Sequence, residues 1–160
     1  SQKDRQDIGT TIRPASEADL PDVLAIAEAA YRPYVARNGL LPGPLRDDYP
    51  AHLAAGQLWV LEVETQGAKA LRGVLVLIAQ PDALLLDNIA LHPDAHGYGH
   101  GGRMLDYAEG HARRAGLPVI RLYTQEIMHE NIAIYAARGY AETHRVTELG
   151  LRRVYMEKRL

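Results

Sequence analysis

The chain contains no cysteine. Disulfides and thiolate metal centres are thereby excluded, and the composition fits a reducing cytoplasm. Long hydrophobic runs are missing too. Stretches such as VLVLIA at 74–79 fall far short of the roughly 20 apolar residues a membrane helix needs. The first residues, SQKDRQD, lack the apolar segment of a secretion signal. They read as a loose arm over 1–9, ahead of one domain over 10–160. Charge of one sign is not in excess: 18 Lys and Arg stand against 20 Asp and Glu, a formal net charge of −2. That balance offers no electrostatic footprint for nucleic acid. No repeat or low-complexity tract interrupts the 160 residues. With 47% hydrophobic and 24% charged residues, the length suits a single soluble domain with its own core.

Hydrophobic periodicity orders the elements. TIRPASEADL reads as a short strand leading to a helix start, with Ser16 as N-cap and Asp19 three residues on. Leu20, Val23, Leu24, Ala27 and Ala30 or Tyr31 then form a helical stripe. A Pro/Gly-rich loop at 38–50 runs into a short helical piece. Three strand-like runs follow at 57–64, 71–79 and 83–91, joined by short turns, which predicts an antiparallel meander. Met104, Leu105, Ala108, Ala112 and Ala115 mark a helix ended by Gly116 and Pro118. A strand at 119–124, a helix at 129–138 closed by Gly139, and two strands near 140–147 and 152–158 complete the chain. The order β-α-α-βββ-α-β-α-ββ predicts a mixed α/β domain.

The segment HPDAHGYGHGG at 92–102 admits several readings. Gly97, Gly99 and Gly102 spell G-x-G-x-x-G. A dinucleotide fold, however, carries that fingerprint after its first strand and builds several βαβ units behind it. Here about 90 residues precede the loop and fewer than 60 follow. Tight turns also cannot join parallel strands. His92, His96 and His100 are spaced by fours, but Pro93 and the glycines prevent one helical face, so no metal site is expected. Two readings stay open. One is a pyrophosphate cradle between a strand end and a helix N-terminus, where glycine backbone approaches closely and free N–H groups face the anion. The other is a tight strand-to-helix turn without a ligand.

The phrase NIALHPDAHGYGHGGRML at 88–105 resembles the signature of the GNAT family of acetyl-CoA-dependent N-acetyltransferases. His96, Gly99 and Gly101 stand at the positions of its Q/R-x-x-G-x-G/A motif. IYAARGY at 134–140 resembles a second family element on a later helix. The resemblance runs from about residue 55 to the end. It implies a mostly antiparallel sheet flanked by helices. It also implies transfer of an acetyl group from acetyl-CoA to a primary amine. Ile89, Ala90, Leu91, His96, Gly97, Tyr98, Gly99, His100, Gly101, Gly102 and Arg103 would hold the cofactor, with Asn131 and Tyr135 beside its arm. Two positions depart from the family pattern: His96 replaces Arg or Gln, and Met128 stands where Asn is common, seven residues before Tyr135.

Acyl transfer to an amine needs a group to take the amine proton, fixed donors for the thioester oxygen and a proton for the leaving thiolate. By the resemblance, Tyr135 would be the acid for the thiolate; otherwise it is a half-buried tyrosine. By the same resemblance Asp87 would be the general base or hold a water; otherwise, inside an apolar strand, it is a structural carboxylate bonded to a neighbouring loop. Tyr31 and Tyr34, near Arg32 and Arg37, are candidates for the acceptor site, as is Glu126 for attracting an amine. The expected partners are acetyl-CoA and an amine, with neither nucleic acid nor membrane; a homodimer is left open. A non-catalytic acyl-CoA-binding module is the alternative, though it would need neither Tyr135 nor Asp87.

Overall fold

Seven strands form one sheet in the order β1-β2-β3-β4-β5-β7-β6. The structure, a computed structural model, describes residues 9–38 and 47–160; the expected arm, apart from Gly9, and most of the 38–50 loop lie outside them. In chain order the elements are β1 (Gly9–Pro14), α1 (Leu20–Asn38), α2 (Tyr49–Ala54), β2 (Leu58–Thr65), β3 (Ala68–Ala79) and β4 (Leu84–Leu91). They continue as α3 (His100–Arg114), β5 (Val119–Gln125), α4 (His129–Ala137), β6 (Ala141–Glu148) and β7 (Leu151–Arg159). Element order and the β2-β3-β4 meander match the pattern read from periodicity. All neighbouring strands are antiparallel except β4 and β5. No described helix is long and apolar enough to cross a membrane.

The sheet is packed on both faces. One core joins Leu61, Leu75, Leu84, Ile120 and Leu122 to Met104, Leu105, Ala108 and Ala112 of α3 and to Tyr135 of α4. The other joins Val60, Val74, Val76 and Ala90 to Val23, Ile26, Ala27 and Tyr31 of α1. The stripe on α1 differs from the expected one. Leu24 is 52% exposed and Ile26 is 2% exposed. The buried arc centres near Val23, and Leu24 lies one residue, about 100°, further round the helix. Ala115 likewise falls on the exposed side, at the C-cap of α3. Asp19 closes the turn before α1: its carboxylate accepts from the Ser16 N–H (2.8 Å) and from Arg13 Nη1 (2.8 Å). The Arg13 guanidinium holds this carboxyl down at about 2.

Two irregularities in β4 prepare the site. Val76 pairs with Asn88 and Leu77 with Leu86, so Asp87 is an extra, bulged residue with no partner across the ladder. The parallel ladder to β5 covers only Leu84, Leu85 and Leu86. Beyond Leu86 the two strands part, and Asp87 stands where the gap begins.

Candidate active site

Antiparallel pairing alternates between residues that bond across the ladder and residues that face away. The His92 N–H donates to the Arg72 carbonyl (2.8 Å), which sets the phase. By alternation Ala90 bonds toward β3, whereas the N–H and C=O groups of Ile89 and Leu91 face the gap. One of these groups is already used: the Tyr31 hydroxyl donates to the Ile89 carbonyl (2.8 Å).

The chain leaves β4 through a 3-10 turn over Pro93–Ala95, where the Asp94 N–H donates to His92 Nδ1 (3.1 Å). Gly97 and Gly99 follow with φ of 88° and 83°, a left-handed conformation that glycine adopts without strain. Gly99 is the N-cap of α3, and the first bond of that helix runs from the Arg103 N–H to the Gly99 carbonyl (3.2 Å). The N–H groups of Gly101 and Gly102 precede it, in the first turn, where an α-helix offers no intrahelical acceptor. A Cβ placed on Gly99 or Gly101 would meet nothing within 4 Å. These bare glycines line a groove walled by α1, the end of β4 and α4.

A second, smaller cavity opens at the gap, and Tyr31, Ile89, Asn131 and Tyr135 border both spaces. Glu109 fixes the position of α4. This buried carboxylate accepts from Lys158 Nζ (2.8 Å) and the Tyr140 hydroxyl (3.0 Å). Tyr140 in turn meets Tyr135 edge-on, with ring centroids 6.0 Å apart. Tyr135 is 6% exposed, and its burial pushes the phenol well above its ordinary range. Tyr31 and Tyr123 commit their hydroxyls to Ile89 and Asp87; no described residue takes that of Tyr135.

Asp87 lies within a network that sequence reading did not assemble. Its Oδ1 accepts from the Tyr123 hydroxyl (2.7 Å). His52 Nε2 is 3.8 Å from an oxygen of Asp87 and 3.8 Å from one of Asp47. His52 Nδ1 is 3.0 Å from Gln57 Oε1, which can only accept, so Nδ1 carries a proton and Nε2 faces the carboxylates. Burial first, and then the charge of Asp87, push Asp47 up to about 6, with His52 opposing. A carboxylate oxygen of Asp47, one of Asp87 and a ring nitrogen of His52 lie within 4.8 Å of one another. Below that pKa Asp47 keeps its proton; above it Asp47 is anionic.

A stability prediction follows from Asp47. The unfolded value is near 3.9, so between about pH 4 and 6 the folded chain binds more protons than the unfolded one. Stability therefore falls as pH rises through this window. Asp47→Asn removes the charge but keeps the shape. The variant should match the native chain near pH 4 and exceed it by about 1–3 kcal/mol at pH 8, a gain of several degrees in Tm. Thermal unfolding followed by circular dichroism at both pH values measures the difference.

The remaining expected residues fall in different places. His96, Gly97, Gly99, His100, Gly101 and Gly102 line the groove, as do Ile89, Ala90 and Leu91. Tyr98 and Arg103 do not; the Tyr98 ring stacks on His100, and Arg103 is exposed. The three histidines of this segment have separate environments: His92 caps a turn, His96 is exposed and His100 is buried. Tyr34 borders the groove but not the second cavity. Arg32 is exposed and ion-paired with Glu28. Glu126 pairs with Arg152 (2.7 Å) and Arg145 (3.6 Å), away from both spaces. Asp47, His52, Tyr123, Gln125 and Arg153 were not foreseen. The polar alternation Arg121, Tyr123, Gln125 along β5 was the signal for two of them.

The family model described as an acetyltransferase (GNAT) domain matches residues 54–142. No curated protein sequence matches the chain. Solved structures share the fold. PaiA N-acetyltransferase from Thermoplasma acidophilum, in complex with coenzyme A, superposes with a TM-score of 0.76 at 17% identity, over 96% of this chain and 100% of that one. YncA from Salmonella typhimurium, with its cofactor acetyl-CoA, gives 0.69 at 20% identity, over 95% and 94%. A ribosomal-protein-alanine N-acetyltransferase from Brucella melitensis gives 0.68 at 24% identity, over 94% and 99%.

Proposed function

Because the chain belongs to the GNAT acetyltransferases, we propose that it transfers an acetyl group from acetyl-CoA to a primary amine, with the glycine groove as cofactor site and the cavity at Asp87 as acceptor site. One observation carries this reading: the two spaces share a wall, with Tyr31, Ile89, Asn131 and Tyr135 bordering both. The groove suits a pyrophosphate linked to an extended amide arm. Bare glycines admit close backbone approach, and the Gly101 and Gly102 N–H groups in the first turn of α3 suit an anion. The Ile89 and Leu91 N–H groups meet an amide chain along the gap.

Acetyl-CoA, when bound, supplies the acetyl group as an activated thioester. The chain supplies the rest. Asp87, with Asp47 and His52 behind it, draws an ammonium into the cavity and takes its proton at a carboxylate oxygen. The N–H donors on β4 are fixed before reaction begins, so they stabilise developing negative charge without reorganising. Tyr135 keeps its proton at Oη at every working pH and gives it to the departing sulfur.

The test is release of the CoA thiol from acetyl-CoA across a panel of primary amines, with the acetylated product identified by mass. Amine-dependent release is expected. Tight binding of acetyl-CoA with no amine-dependent release would replace transfer with simple retention of the cofactor.

A further inference from the structure

The far end of the acceptor cavity is built by β5 and β7. Ile120 and Leu122 are buried in the core, so Arg121, Tyr123 and Gln125 share the opposite face of β5. They stand in register with Glu157, Tyr155 and Arg153 of β7. Gln125 and Arg153 are direct cross-strand partners, and both line the cavity.

Each carries donors that the described residues leave unused. Gln125 is 6% exposed, and its Nε2 is buried with no hydrogen-bond partner among the described residues. Native folds rarely tolerate such a group unless something else satisfies it. The Arg153 side chain is 13% exposed and held in place: its guanidinium carbon sits 4.4 Å from the centroid of the Tyr123 ring, and Nη1 donates to Glu148 Oε2 (2.9 Å). Glu148 lies toward solvent and also accepts from the Tyr155 hydroxyl (2.7 Å). A guanidinium has five N–H donors, so Glu148 does not exhaust it.

The opposite pole is Asp87, which accepts from the hydroxyl of the same Tyr123 whose ring carries Arg153. The cationic group thus lies over the face of a tyrosine ring whose hydroxyl meets the anionic one. A simple amine would satisfy Asp87 and leave Gln125 Nε2 dry. A polyamine would bring a second cation to Arg153. A molecule with an amino group and a carboxylate satisfies both poles. Resting on the reading of this cavity as the acceptor site, we propose that the acceptor is a small amino acid, its amino group held at Asp87 and its carboxylate at Arg153 and Gln125.

The experiment measures CoA release with acetyl-CoA and matched acceptors: the standard amino acids, their carboxamides, the corresponding amines lacking the carboxylate, and short peptides with the same N-terminal residues. The native chain, Arg153→Gln and Gln125→Met are compared after circular dichroism confirms folding. The native chain should favour an amino acid over its matched amine by about 10- to 100-fold in kcat/KM, the range of a charge-assisted contact. That ratio, taken on one enzyme at a time, should fall toward unity in Arg153→Gln and drop in Gln125→Met; if the arginine variant does not fold, the Gln125 ratio decides. Equal use of acids and amines, preference for carboxamides or peptides, or a ratio unmoved in the folded variants would overturn the assignment while leaving acetyl transfer to amines intact. Failure to acetylate any member of the panel would remove both.

Discussion

Tyr135→Phe should lower kcat by roughly 10²–10⁴-fold, the usual worth of a positioned general acid, while acetyl-CoA affinity stays nearly constant. The ring of Tyr135 belongs to the core and meets Tyr140, so phenylalanine preserves the packing and deletes only the proton. Neighbouring tyrosines cannot stand in, because Tyr31 and Tyr123 are bonded to Ile89 and Asp87. The upward shift from burial sets the pH behaviour. A phenol raised above its reference value near 10 stays protonated throughout the neutral and mildly alkaline range. The native enzyme should therefore show no alkaline loss of kcat from this group below about pH 10. Single-turnover kinetics isolates the chemical step. A phenylalanine variant with native single-turnover rates would remove Tyr135 from the chemistry.

The second large effect concerns the groove floor, where strain and occlusion must be separated. Gly99→Val introduces both: the residue has φ of 83°, and the new side chain projects into the groove. Gly101 lies inside α3, without a left-handed φ, and a Cβ there also meets nothing within 4 Å. Gly101→Val therefore fills the groove with little backbone strain. Gly67, with φ of 80° and open space around it in the β2–β3 turn, is the converse control. Gly99→Val and Gly101→Val should each weaken acetyl-CoA binding by about 100-fold or more, because the backbone can no longer approach the pyrophosphate. Gly99→Val and Gly67→Val should each lose about 1–3 kcal/mol of stability from the strained conformation, and Gly67→Val should keep native affinity. Calorimetric titration and thermal unfolding read the two quantities independently. Native affinity in folded Gly101→Val would take the cofactor out of this groove.

The pattern of elements was legible because local chemistry writes it. Gly116 and Gly139, at φ of 73° and 96°, end helices where the sequence says they should, and the hairpin connections forced antiparallel pairing. Leu24 was misplaced because periodicity alone does not say where a buried arc is centred; packing against the sheet decides that. The glycine loop was legible as a strand-to-helix turn. The bulge at Asp87 was not, because it depends on how β4 slips against β3. The polar cluster was hidden for a related reason. Asp47 and Asp87 are 40 residues apart, and no local rule brings them together. Gln125 and Arg153 meet only through the register of β5 on β7.

The parting of β4 and β5 has a consequence for colloidal behaviour. A strand with unpaired backbone groups on one side is a template for another chain, and folded proteins ordinarily shield such edges. By opening in its middle, this sheet creates two more of them, at Asp87–Leu91 and beyond Leu122. Neither lies at the rim of the sheet. Helices α1 and α4 stand over the two faces of the opening, and the Tyr31 hydroxyl occupies the Ile89 carbonyl. A backbone ladder that would elsewhere be a liability for self-association is here flanked by helices and bordered by the groove.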